Sequence, residues 1–332
     1  MLFITNRALN EGKTSPQPGK ERKITFNLKD SEPSSSVFFC ERRGKEKHFE
    51  IGSKKFLEQL RDAKEKQILL YIHGFNNLPE RDIFPRARSL QTLCDQARKD
   101  LIKVVPLIWP CDNDMGIIKD YWDDQESADQ SAFGFVRVLG KFLEWRSAQR
   151  DDDDKCYKRI NVLAHSMGNR VLRLTMERWG TYYGTVPQIF RNTFMVAADV
   201  VNETLEYGEA AISVCNSARN VVVYYAGDDL ALRGSKVANV KNKVFSRRLG
   251  HTGPEDMGDV PNNVYAVDCD NFNNTYDKPK GHTYFLRDDR KEPGAVFRHM
   301  FHALITGRVD VVPGTRFREL PRRGYKPPKW AA

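Results

Sequence analysis

The 332-residue sequence has no run of about eighteen consecutive apolar residues, which excludes a transmembrane helix on hydropathy. It begins MLFITNRALNEGK, where four apolar side chains give way at once to a polar stretch, so no secretory signal is expected. Cysteine is sparse and unpatterned. Cys40, Cys94, Cys111, Cys156, Cys215 and Cys269 are scattered, with no C-x-x-C spacing, which argues against a disulfide framework or a metal cluster. Reduced thiols in a cytoplasmic protein are the expectation. Internal repeats and breaks in composition are missing too, so one domain over residues 1–312 is expected, with N-terminal strands in 1–50 and a basic tail over 313–332. What the chain does have is 40% apolar and 29% charged residues, enough for a sizeable core. Lys and Arg outnumber Asp and Glu by 53 to 44, and the resulting +9 permits attraction to anionic surfaces without specifying one.

Short strand candidates, Leu2–Asn6, Ile24–Leu28 and Val37–Glu41, occupy the first fifty residues, with a polar loop at Thr14–Arg22. Strands then alternate with helices. Strand patterns fall at Gln67–His73, Ile102–Trp109, Arg159–His165, Thr193–Ala197, Asn220–Ala226 and Asn263–Asp268. Helical patterns fall at Arg86–Lys99, Gln125–Arg146, after Ser166, and at Ala295–Thr306 before Gly307. This alternation predicts an α/β fold with a mostly parallel central sheet and helices on both faces. In such sheets ligands bind at the carboxyl ends of the strands, so polar residues there are the ones to weigh.

The stretch NVLAHSMGNRVL, residues 161–172, turns from strand to helix on Ser166. Ala164 and Gly168 stand two positions before and after it. Serine at such a junction is often only an N-cap. Capping does not explain small residues on both sides, whereas a sharp turn that exposes the central side chain does. The pattern is G-x-S-x-G with alanine in the first position, a nucleophile elbow. Ser166 is therefore the candidate nucleophile.

A serine hydroxyl needs a general base, normally a histidine oriented by a carboxylate. Among seven histidines, His282 in KGHTYF follows strand Asn263–Asp268, taken as the last, and sits at the favourable end of the sheet. His48 lies in a charged stretch, His165 beside the serine is expected to point elsewhere, and His299 and His302 fall in a helix. His251, in a glycine-flanked loop, stays open. For the acid, Asp228 and Asp229 follow strand Asn220–Ala226, and Asp199 follows the strand before it. Adjacent Asp228 and Asp229 must point in different directions, so only one of them can serve. Ser166, Asp229 and His282 occur in an order known for such triads. An oxyanion would be met by the backbone N–H of Met167 and, after the YIHGFNN stretch, by that of Phe75.

FITNR, YIHGFNN, PLIWP, DYWDDQESADQS, VLAHSMGNRVL, AADV, YYAGDDLAL and GHTYF follow one another in that order. Together they resemble a bacterial α/β-hydrolase family of the esterase/lipase superfamily whose function is unknown, over roughly residues 1–310. The resemblance implies the α/β-hydrolase fold and a serine triad of Ser166, Asp229 (directly before LAL) and His282; by their strand ends alone, Asp199 and Asp228 stay as alternative acids. It supplies no substrate. Cleavage of a carboxylic ester or related acyl compound, as a small-molecule substrate and without metal or organic cofactor, is the expected activity. An acyltransferase and a silent hydrolase-fold binding or scaffold protein are the alternatives.

Other features weigh less. Asp151–Asp154 lack the alternating spacing of a calcium loop. Arg316–Trp330 mixes basic and aromatic residues, and a partly ordered extension with weak contact to anionic surfaces is expected there, not nucleic-acid binding. Trp122–Ser131 is expected to cap the long helix, and Asp199 to cap a helix begun by VNETLEYGEA.

Overall fold

A computed structural model describes residues 1–13, 20–111, 117–149, 155–232 and 247–328, without the side chains of 117–120 and 122. Asp151–Asp154, Trp330 and most of the Thr14–Arg22 loop lie outside those residues. The chain forms two compact units, Met1–Arg159 and Ile160–Ala332.

In the first unit the strands are β1 (Leu2–Arg7), β2 (Arg22–Ile24), β3 (Pro33–Gly44), β4 (Lys47–Glu50), β5 (Gln67–Ile72) and β6 (Ile102–Ile108). They lie in the order β5-β6-β1-β3-β4-β2. β5, β6 and β1 pair in parallel, and β1, β3, β4 and β2 continue antiparallel. The connections explain the change, because β3 and β4 are joined by a tight hairpin whereas parallel neighbours need a crossover. The helices are α1 (Ser53–Asp62), α2 (Phe84–Ala97) and α3 (Ile117–Ala148). α3 is longer than periodicity predicts and swallows Trp122–Ser131, so these residues lie inside the helix and do not cap it. There Asp124 is buried and accepts a bond from Asn76 N–H at 3.2 Å.

The second unit is wholly parallel: β7 (Arg159–His165, begun by the last residue of the first unit), β8 (Phe190–Val196), β9 (Ala218–Tyr225), β10 (Val264–Asp268) and β11 (Phe317–Glu319), in the order β11-β10-β9-β8-β7. Near-continuous apolar runs such as Val221, Val222, Val223 and Tyr224 are fully buried, as strands covered on both sides require. α4 (Gly168–Tyr183), α5 (Ile212–Ser217) and α6 (Ala295–Thr306) accompany them. α4 buries Val171, Leu172, Thr175, Met176 and Trp179, the face its periodicity predicts. Near the start of the strands, Asn161, Asn192 and Asn220 stand side by side in register and are buried. Asn192 Nδ2 donates to Asn161 Oδ1 and Asn220 Nδ2 to Asn192 Oδ1, both at 2.8 Å.

The C-terminal residues correct the reading of 313–332 as a tail. Residues 317–319 pair in parallel with β10, so Val264–Asp268 is not the last strand. Leu320 is buried and donates through its N–H to Asp268 O at 3.0 Å, and Tyr325 Oη donates to Asp310 Oδ2 at 2.7 Å. Among the described residues no helix is long and apolar enough to cross a membrane.

Candidate active site

β7 ends at His165, and the chain reverses on the next residue. Ser166 has φ 53°, a left-handed conformation that costs a side-chain-bearing residue energy and recurs where function requires it. Its N–H still donates to Val196 O at 3.0 Å, so the turn begins only after the last pairing with β8. α4 starts at Gly168, and Ala164 and Gly168 are both buried. The strand, turn and helix are thus the ones expected around a nucleophile elbow. Met167 N–H, one residue before the helix, makes no hydrogen bond among the described residues.

A second residue with positive φ, Ala197 at 46°, directly follows β8 beside this turn. The segment at Gly250 lies directly on it. A Cβ on Gly250 would stand 2.1 Å from Ala198 N, a distance only glycine permits.

His282 is brought to the elbow from the loop after β10. Its Nδ1 donates to Asp229 Oδ2 at 2.7 Å. Asp229 is fully buried, and its other oxygen accepts the N–H groups of Ala231 at 2.9 Å and Leu232 at 3.0 Å. The carboxylate is therefore saturated on one side and committed to the imidazole on the other, which fixes both ring orientation and tautomer. The backbone beneath the ring is equally tied. Asp277 Oδ2 accepts from the N–H of His282 at 2.9 Å and of Thr283 at 2.7 Å. Gly281, at φ 62°, would push a Cβ to 2.2 Å from Asn274 Oδ1. Tyr284 and Phe285 then bury completely and anchor the loop in the core.

The other two aspartates go elsewhere. Asp228 Oδ1 accepts from Asn273 Nδ2 at 2.5 Å and its Oδ2 from Asn274 Nδ2, so it braces the segment beneath Gly281. Asp199 pairs with Arg248 at 3.2 Å, both nearly buried. It does not cap a helix: the following turn, Asn202–Leu205, is 3₁₀ and starts from Val201 without a side-chain cap.

His165 does not point away from the site. Its ring lies 4.8 Å from that of His282, and its Nε2 donates to His282 O at 3.2 Å. Ser166 Oγ itself makes no hydrogen bond to the His282 ring. Phe75 belongs to the first unit, in the loop after β5, where its carbonyl accepts from Asn77 Nδ2 at 2.6 Å and its ring meets Tyr121 edge-on. His251 sits in a helical turn, Leu249–Thr252. No cluster of metal-binding side chains occurs among the described residues, and all six cysteines are buried and outside any disulfide.

Sequence reasoning missed Asn169, Asp277, Asn273 and Asn274. Only Asp277 carried a signal, as an acidic residue opening the turn DKPKG before the histidine.

The α/β hydrolases are the class this fold defines. A family model described as "Alpha/beta hydrolase of unknown function (DUF900)" matches residues 50–290, and the chain belongs to that family. No curated protein matches it. Among solved structures it is similar to phospholipase PlaB from Legionella pneumophila in complex with thio-NAD, at 13% identity, covering 69% of this chain and 43% of that one, with a TM-score of 0.28. It is also similar to a lipase-esterase related protein from Clostridium acetobutylicum ATCC 824, at 10% identity over 62% of this chain and 75% of that one, TM-score 0.23. The chain spans under half the length of the phospholipase it matches.

Proposed function

We propose that this chain is a serine hydrolase that cleaves a carboxylic ester or related acyl compound through an acyl-enzyme on Ser166. The observation that carries this reading is the 2.7 Å contact between His282 Nδ1 and buried Asp229, one ring away from the strained Ser166 turn. With Nδ1 donating to the carboxylate, Nε2 is the nitrogen left to act as base. The Ser166 Oγ proton passes to Nε2 as the Oγ–carbon bond forms, and the carbonyl electrons move to oxygen, facing Met167 N–H. Collapse of that intermediate breaks the ester C–O bond, and Nε2 returns the proton to the departing alkoxide. Water then repeats the sequence on the acyl-enzyme. The hydrogen bond between Ser166 and His282 forms as substrate closes the site, since such bonds commonly tighten only in complexes. Six buried cysteines outside any disulfide support a reducing, cytoplasmic setting.

The test is labelling with a fluorophosphonate. Wild type is expected to take the label and to hydrolyse members of an ester series of increasing acyl length. Ser166→Ala is expected to keep the fold and lose both. Labelling that persists in Ser166→Ala would sink the mechanism. Acyl transfer to an added alcohol in preference to water would reassign the reaction as acyltransfer.

A further inference from the structure

Three donors converge on the carbonyl oxygen of Ser166. They are the backbone N–H groups of Asn169, at 3.0 Å, and Asp199, at 3.2 Å, and the side-chain Nδ2 of Asn169, at 3.1 Å. The same Nδ2 donates to Ala164 O at 3.0 Å and Val196 O at 3.4 Å. One fully buried amide thus ties together the strand before the turn, the turn, and the neighbouring strand. Its orientation is dictated by chemistry, because turned over it would set its oxygen against three carbonyl oxygens. The outcome leaves Oδ1 buried with no hydrogen-bond partner among the described residues, an arrangement that burial penalises.

The C=O of Ser166 and the N–H of Met167 are two ends of one peptide group. Donors on the oxygen draw electron density from the nitrogen, make the N–H a stronger donor, and hold the peptide plane still. We propose that Asn169 is a positioning residue that locks and polarises the Ser166–Met167 peptide so that Met167 N–H can meet an oxyanion. The inference rests on Ser166 as nucleophile for its catalytic meaning, though not for the state of the peptide itself. Asn169 touches no reacting atom. It acts through Met167.

Two readouts separate these layers. With ¹⁵N-methionine, six of the seven methionines carry an amide N–H, Met1 being an amine, and Met167 is assigned by its loss in Met167→Leu. Asn169→Ala is expected to move the Met167 amide proton upfield, equally in the Ser166→Ala background, where no chemistry occurs. In the active enzyme, Asn169→Ala is expected to lower kcat about tenfold at unchanged KM, a weakened donor being less damaging than a deleted one. Affinity for phenylboronic acid, which forms a tetrahedral adduct on the serine, is expected to fall by the same factor. Asn169→Leu keeps the same branched heavy-atom skeleton and removes the donor, and should act in the same direction if the alanine variant folds poorly. An unmoved Met167 signal, or a fall in kcat with undiminished boronate affinity, overturns the proposal. Failure of wild type to bind boronate overturns the nucleophile reading, while the amide shift still decides whether Asn169 governs the peptide.

Discussion

His73 follows β5 by one residue and has both ring nitrogens bound to backbone. Nδ1 donates to Gly74 O at 2.8 Å, and Nε2 accepts from Trp109 N–H at 3.2 Å. Its ring stacks on Trp109, nearly parallel at 5.1 Å between centroids. Burial pushes its pKa down to about 3, so it is neutral at any ordinary pH. His282 also follows a parallel strand, but one nitrogen meets a carboxylate and the side chain keeps 14% exposure. A histidine whose two nitrogens are both spent on main chain is a fastener. One oriented by a carboxylate and reachable from solvent is equipped to move a proton. The difference is made by partners and not by the residue or its place after a strand.

Replacing each histidine should break the comparison cleanly. His282→Ala is expected to lower kcat by about 10⁶, the scale seen when a triad base is removed, with little change in melting temperature. A variant still active within tenfold of wild type would remove His282 from the chemistry.

The aspartates sharpen it. Asp229→Asn is expected to lose about 10⁴ in kcat, because the amide no longer holds the required tautomer. Asp228→Asn should retain most of its kcat, since that carboxylate braces Asn273 and Asn274 instead. Steady-state kinetics on the two variants decide the matter, and a reversed ranking would move the acid to Asp228.

His73→Phe keeps a ring against Trp109 but strands the Trp109 N–H. Urea unfolding should show a loss of about 1–3 kcal/mol, the penalty for a buried donor left unmet. Gly74 O is not stranded, because Asn77 Nδ2 also donates to it at 2.9 Å.

The smallest effect concerns pH. His299, with Nδ1 against Tyr224 Oη and Nε2 against Asp310 O, is likewise held down by burial, to about 4. Both folded-state values lie below the ordinary value of 6.5. The unfolded chain therefore takes up protons that the folded one refuses, and stability falls as pH drops from about 6.5 toward 4, and to 3 for His73. Unfolding free energies from urea titrations should decline by about 1 kcal/mol between pH 7 and 6, and His299→Gln should reduce that decline. Free energies independent of pH over that range would refute the neutral-buried assignment.

The elbow was legible because its requirements are local. Small residues at 164 and 168, an apolar run before and a helical period after are all written within about twenty residues. The family pattern singled out Asp229, whose saturated Oδ1 only the structure displays. Asn169 could not be seen, because its meaning depends on Val196 O and Asp199 N–H, which arrive from another strand. Asp199 was misjudged for the same reason: Arg248 reaches it from a distant segment. β11 escaped because three residues, Phe-Arg-Glu, are too few to show a strand period, and pairing with the edge of β10 supplies what the pattern does not.

The three asparagines across β7, β8 and β9 act as a datum line. Because they are level with one another, every residue farther along the three strands is level too. Four positions on, His165, Val196 and Tyr224 therefore stand in one row, immediately before the turn on Ser166. A parallel sheet of interchangeable Val and Ile could slide by a pair of residues and still bury its side chains, but buried amides cannot slide without losing their partners. The precision needed at one end of the strands is thus set at the other, roughly 16 Å away at the usual rise of a strand.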